Sequence, residues 1–146
     1  MSIVNADGSH DNFYFNATNT EHDSYNTAGN LAYVDILNSD GTHNASAKVA
    51  GITLAGSAGN DVFAAAGVGS TTISFSGGND TVNGFHAGSA TGHDTVAIAK
   101  LMATDYSQLQ LSQSGADTLI HVTANDTLLL KNVVAANVTS SDFLFV

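Results

Sequence analysis

Gly56-Ser57-Ala58-Gly59-Asn60-Asp61-Val62-Phe63-Ala64 is the clearest unit of a repeat, because its pattern returns as Phe75-Ser76-Gly77-Gly78-Asn79-Asp80-Thr81-Val82-Asn83. The shared unit is Gly-x-Asp-x-apolar. It recurs as Gly92-His93-Asp94-Thr95-Val96 and Gly115-Ala116-Asp117-Thr118-Leu119, with a degraded copy at Ala124-Asn125-Asp126-Thr127-Leu128. Between the first two copies Gly69-Ser70-Thr71-Thr72-Ile73 keeps the spacing but carries threonine where the carboxylate stands elsewhere. The third interval reads as a nonapeptide step widened by an insertion within Gly84 to Thr91.

Each part of the unit has a physical use. Glycine turns the backbone through positive φ and exposes its carbonyls, aspartate supplies a charged oxygen, and the apolar residue two places on points inward from a short strand. A turn and a strand make a half-coil. Two half-coils close one coil, so Asp61 and Asp80 are expected to stack on one edge, one coil apart. Oxygen ligation by carboxylates and carbonyls is what calcium takes, and stacked carboxylates repel unless a divalent ion lies between them. Asp94 is a third candidate ligand, opposite Thr71. Asp117 and Asp126 read as turn residues of an antiparallel hairpin, since Asn and Asp favour tight turns without any metal.

Composition agrees with a folded, cation-seeking chain. Thirteen acidic residues face three basic ones, Lys48, Lys100 and Lys131, in 146 residues, for a net charge of −10. So few cations cannot neutralise a row of phosphates, which makes nucleic acid and anionic lipid poor partners. An apolar share of 43% against 11% charged is too hydrophobic for a disordered acidic tail. Without cysteine there is no disulfide framework and no thiolate metal site. No segment approaches the length of a membrane span, and Met1 to Asp7 lacks the positive start and apolar run of a cleaved signal peptide. Helical periodicity is nearly absent, apart from a possible single turn over Lys100 to Asp105, while short β-compatible runs recur between Gly, Asn, Ser and Thr. Expected strands include Asn12 to Phe15, Leu31 to Leu37, Lys48 to Leu54, Thr71 to Phe75, Thr95 to Ala99, Thr118 to Val122, Thr127 to Leu130 and Phe143 to Val146.

These residues resemble the RTX, or hemolysin-type calcium-binding, repeat family, whose unit is Gly-Gly-x-Gly-x-Asp-x-apolar-x. Gly56 to Ala64 departs from it only at the second glycine, and the resemblance covers roughly residues 51 to 146. It implies an all-β chain built on a short right-handed parallel β-roll. Residues 1–50 would form an N-terminal β cap, 51–100 the calcium-binding repeats, and 101–146 antiparallel closing strands. It also implies Ca2+ held by Asp61, Asp80 and Asp94 with carbonyls near Gly56, Ala58, Gly59, Gly77 and Gly78. Export by type I secretion machinery reading the C-terminus, an extracellular location and folding on calcium binding come with it, as does a non-enzymatic role.

The other readings of the chain are weaker. The six histidines include no pair three or four apart, so a zinc helix motif is absent. Ala55-Gly56-Ser57-Ala58-Gly59 imitates a nucleophile elbow, but no helix follows it. The alternative function is a non-catalytic module for a polysaccharide or cell surface, with Tyr14 and Tyr33 as stacking residues. Phe13 and Phe15 are expected to pack under the first coil.

Overall fold

The computed structural model describes residues 1–65 and 69–146. The chain is all-β. Fourteen strands are described: β1 (Ser2–Val4), β2 (His10–Phe15), β3 (Asn19–Tyr25), β4 (Leu31–Asn38), β5 (His43–Ala47), β6 (Thr53–Ala55), β7 (Val62–Ala64), β8 (Thr72–Phe75), β9 (Asn79–Asn83), β10 (Thr95–Ile98), β11 (Gln110–Ser114), β12 (Asp117–His121), β13 (Thr127–Leu130) and β14 (Phe143–Phe145). They form two sheets. The larger has ten strands in the order β1-β2-β3-β4-β5-β7-β9-β13-β12-β11, and the smaller four in the order β14-β10-β8-β6.

From β5 to β10 the chain alternates between the sheets. β7 lies parallel to β5 and β9, and β8 lies parallel to β6 and β10. The larger sheet is mixed, because β1 to β5 form an antiparallel meander at one end and β11 to β13 an antiparallel unit at the other. Strand alternation then builds the core in rows. Ala45, Phe63, Val82 and Leu130 stand side by side in the larger sheet. Leu54, Ile73, Val96 and Phe143 do so in the smaller. All eight are buried, so the two rows face each other as the inner faces of a sandwich do.

Several local expectations shift for physical reasons. Lys48 to Leu54 is no single strand: β5 ends at Ala47 and β6 begins at Thr53, with a turn through Gly51 at φ +80°. Over Lys100 to Asp105 the chain opens with one hydrogen-bonded turn, Met102 N and Ala103 N donating to Ala99 O, and a 3-10 turn follows at Tyr106–Gln108, capped by Asp105 Oδ1 accepting from Ser107 N at 2.8 Å. β3, with the sequence Asn-Thr-Glu-His-Asp-Ser-Tyr, has no apolar alternation to announce it. It forms because β2 and β4 pair with it on both sides. Phe13 is half-buried, whereas Phe15 is 65% exposed and packs under nothing. Among the described residues no helix is long and apolar enough to cross a membrane.

Candidate metal centre

The two-residue period of a strand explains where the aspartates go. In Asp61-x-Phe63, Asp80-x-Val82, Asp94-x-Val96 and Asp126-x-Leu128, the carboxylate shares the face of the apolar residue two places on. Because Phe63, Val82, Val96 and Leu128 line the core, the aspartates point inward as well. Asp61 and Asp80 are each 1% exposed and Asp94 is fully buried. Asp117 is the exception. There Thr118 and Ile120 take the inner face, and Asp117 turns out to meet Lys131 Nζ at 2.5 Å.

Each inward aspartate reaches back one strand to main-chain donors. Asp61 Oδ1 accepts from His43 N at 2.6 Å, while Oδ2 accepts from Ser57 N at 2.6 Å and Ser57 Oγ lies within reach of both oxygens. Asp80 Oδ1 accepts from Asp61 N at 2.9 Å, and Asp126 Oδ1 from Gly78 N at 2.9 Å. Asp61, Asp80 and Asp126 thus staple one edge of the stack. On the opposite edge Asp94 accepts from Thr71 N at 2.7 Å and His86 N at 2.8 Å. Asp142 continues that edge, accepting from Gly88 N at 2.8 Å and Thr139 N at 2.7 Å.

Two of these carboxylates do not read from sequence as long-range acceptors. Asp142 sits outside any Gly-x-Asp unit, in Ser140-Ser141-Asp142, and only its position before the last apolar strand hints at its use. Asp126 reads as a turn residue, yet its partner is Gly78, which is remote in sequence.

The stapling aspartates differ in what they leave free. Asp61 and Asp94 direct both oxygens at N–H donors, so a cation in the same place would meet those hydrogens. Asp80 does not. Its Oδ2 is buried and has no hydrogen-bond partner among the described residues. Burial pushes its carboxyl up to about 7, against the bond from Asp61 N, and the charges of Asp61 and Asp126 push it further the same way. An orphaned buried oxygen between like charges is the chemistry a hard cation relieves.

The glycines of this turn serve close approach. A Cβ on Gly78, whose φ is +84°, would stand 2.0 Å from Gly59 O and 3.2 Å from Ala58 O. Only glycine therefore brings the Asp80 turn against those two carbonyls. Gly77 lies against Asp126, a built Cβ being 3.4 Å from its Oδ1. Gly56 lies instead against Asp61 and Phe63, and its N donates to Ser74 O. Among the described residues no three His, Asp or Glu side chains converge on one point. Asp126 also has both oxygens taken, by Gly78 N and by the Thr123 hydroxyl, so Asp80 Oδ2 is the free acid oxygen on this edge among the described residues. No family model matches this chain, and no curated protein matches it.

Tyr14 and Tyr33 do not form one platform. Tyr14 pairs with Glu21, which faces Ile36, while Tyr33 pairs with Ser24 and Ala47. The strand period therefore places the two rings on opposite faces of the larger sheet.

His93 ties the insertion to the far end of the chain. Its Nδ1 lies 2.9 Å from Ala90 O and its Nε2 3.1 Å from Ser141 O. Carbonyls only accept, so both bonds require both ring nitrogens protonated. The two carbonyls hold the imidazolium above its ordinary 6.5, with a smaller push from Asp142 and Asp94. Its contribution to stability is complete below about pH 6.5 and is lost as pH rises through the raised value. Thermal melts across that window are expected to show this loss, and His93→Gln to remove it.

Proposed function

We propose that the chain is a short parallel β-roll of the RTX kind, capped by an N-terminal meander, whose Asp80 turn takes one calcium ion. The observation that carries this reading is the buried, unpartnered Asp80 Oδ2 at the end of a core row. Alternate strands in two parallel runs, with Gly-Asn-Asp bends between them, support the roll. Asp61, Asp94, Asp126 and Asp142 act as metal-free staples, and Asp80 Oδ2 would anchor the ion, with the carbonyls of Ala58 and Gly59 at the same turn as candidate partners. Bound calcium supplies positive charge at an orphaned oxygen and removes the repulsion among the three carboxylates on that edge. It opens no catalytic route, and the role is non-enzymatic.

Stability follows from linkage. An ion that binds the folded chain alone adds RT ln(1+[L]/Kd), about 2.7 kcal/mol at a hundredfold excess over Kd. Where calcium is scarce the Asp80 turn stays strained by its own charge. In extracellular fluid, at the affinities of about 10⁻⁴ to 10⁻³ M usual for secreted modules, the ion closes it. Folding would thus be completed outside, in keeping with export by a type I route.

Circular-dichroism melts test this directly. Millimolar calcium is expected to raise Tm by several degrees over chelator, with a smaller effect from magnesium, which demands stricter octahedral geometry. Coincident curves in calcium and chelator would refute the proposal.

A further inference from the structure

The smaller sheet stops at β6, but the larger one runs on through β4, β3, β2 and β1. Its inward row continues from Ala45 to Asp35, His22 and Phe13, and the adjacent row from Ala47 to Tyr33, Ser24 and Asp11. No described strand lies over these residues. They form a ledge beside the open side of β6.

Among the described residues that open side is unpaired. Ile52 O accepts from Thr72 N and Gly56 N donates to Ser74 O, so the even-numbered residues serve β8. In a parallel ladder the alternate residues, Thr53 and Ala55, then turn their amides and carbonyls outward. Between them and the ledge is a cavity of about 90 Å³ lined by Tyr33, Asp35, Ala45 and Thr53–Ala55.

The ledge is prearranged and acidic. Phe13 stacks on His22 with ring centres 4.4 Å apart, and His22 lies 3.0 Å from Asp11 and 3.3 Å from the Tyr33 hydroxyl. Asp35 is held by His43 Nδ1 at 2.9 Å. The carboxylates remain a fifth to a quarter exposed, Asp11 at 20% and Asp35 at 25%. Of the chain's three lysines only Lys48 falls between β2 and β6, just past the end of β5 and within none of these strands. A second copy would bring a further net charge of −10 and is repelled.

We infer that this ledge takes an extended, basic peptide segment of another protein, which adds as a fifth strand on β6 and reaches Asp35 and Asp11 with lysine or arginine. Main-chain bonds to Thr53 and Ala55 give the register, and alternate side chains fill the cavity against Tyr33. The positive charge meets two partly desolvated carboxylates that already have fixed positions, which lowers the ordering cost of binding.

The test uses the full chain and a fluorescent peptide of alternating valine and lysine. Its glutamate counterpart, a version N-methylated on alternate amides, and a neutral β-glucan oligosaccharide serve as comparisons. Expected are saturable binding of the lysine peptide, amide shifts centred on Thr53, Ala55, Tyr33 and Asp35, and at least a tenfold loss in Asp35→Asn. The glutamate and N-methylated peptides should fail on the unmodified protein. Equal binding of the N-methylated peptide would mean charge attraction alone and overturn the inference. So would shifts placed elsewhere, absence of binding, or the same ledge shifts produced by the oligosaccharide.

Discussion

Asp94→Ala is expected to destabilise the chain by roughly 3–5 kcal/mol, with or without calcium. The carboxylate is fully buried and is the acceptor for two main-chain donors, Thr71 N and His86 N. Truncation leaves the buried Thr71 amide without its acceptor and takes that of the part-buried His86 amide as well, and an unsatisfied buried donor costs about 1–3 kcal/mol. The vacated volume adds a cavity penalty. The loss is structural, because Asp94 joins the Thr71 turn to the insertion beginning at Gly84. Denaturant unfolding of the two proteins in chelator checks it. A difference below about 1 kcal/mol would mean that the amides find other partners.

Asp80→Asn is expected to move stability the other way. In chelator at pH 8 the buried carboxylate is charged, lacks a partner for Oδ2 and sits beside Asp61 and Asp126. Removing the charge at constant volume relieves that cost. The gain is on the order of 2 kcal/mol, less than the full shift converts to, because the new amide also lacks a partner. For a chain of this size it corresponds to a Tm higher by roughly 4–8 °C.

The pH dependence carries the same signature. Asp80 titrates near 7 when folded and near 3.8 when unfolded, so the folded state holds the proton more tightly. Metal-free stability from this group is therefore full below about pH 4 and declines as pH rises toward 7. Asp80→Asn should flatten that decline, and calcium should flatten it in the unmodified chain by taking the proton's place. Melts in chelator between pH 4 and 8 decide the matter. An unchanged slope in Asp80→Asn would show that the buried oxygen is hydrated.

The repeat was legible because its parts are local. Gly-Asn-Asp followed two places on by Phe63 or Val82 announces a bend and a short strand, and the bends recur often enough to give an all-β chain with Asp61 and Asp80 on one edge. The stacking is present as Asp61 N donating to Asp80 Oδ1. What the repeat did not announce was direction. The period that turns Phe63 inward turns Asp61 inward too, and the donors that then satisfy it, His43 N and Ser57 N, include one supplied by a strand outside the repeat. Asp126 and Asp142 were obscured for the same reason, since their partners Gly78 and Gly88 lie far away in sequence. β3 was hidden because its inward side chains, Thr20, His22 and Ser24, face a ledge that no described strand covers. Binary patterning has nothing to mark where no core is buried.

Calorimetric titration with calcium of the unmodified chain and of Asp80→Asn reads out the Asp80 turn itself. One saturable site in the first protein and none in the second is the predicted result. A site retained at full affinity in Asp80→Asn, or no heat of binding in the unmodified chain up to several millimolar calcium, would contradict it.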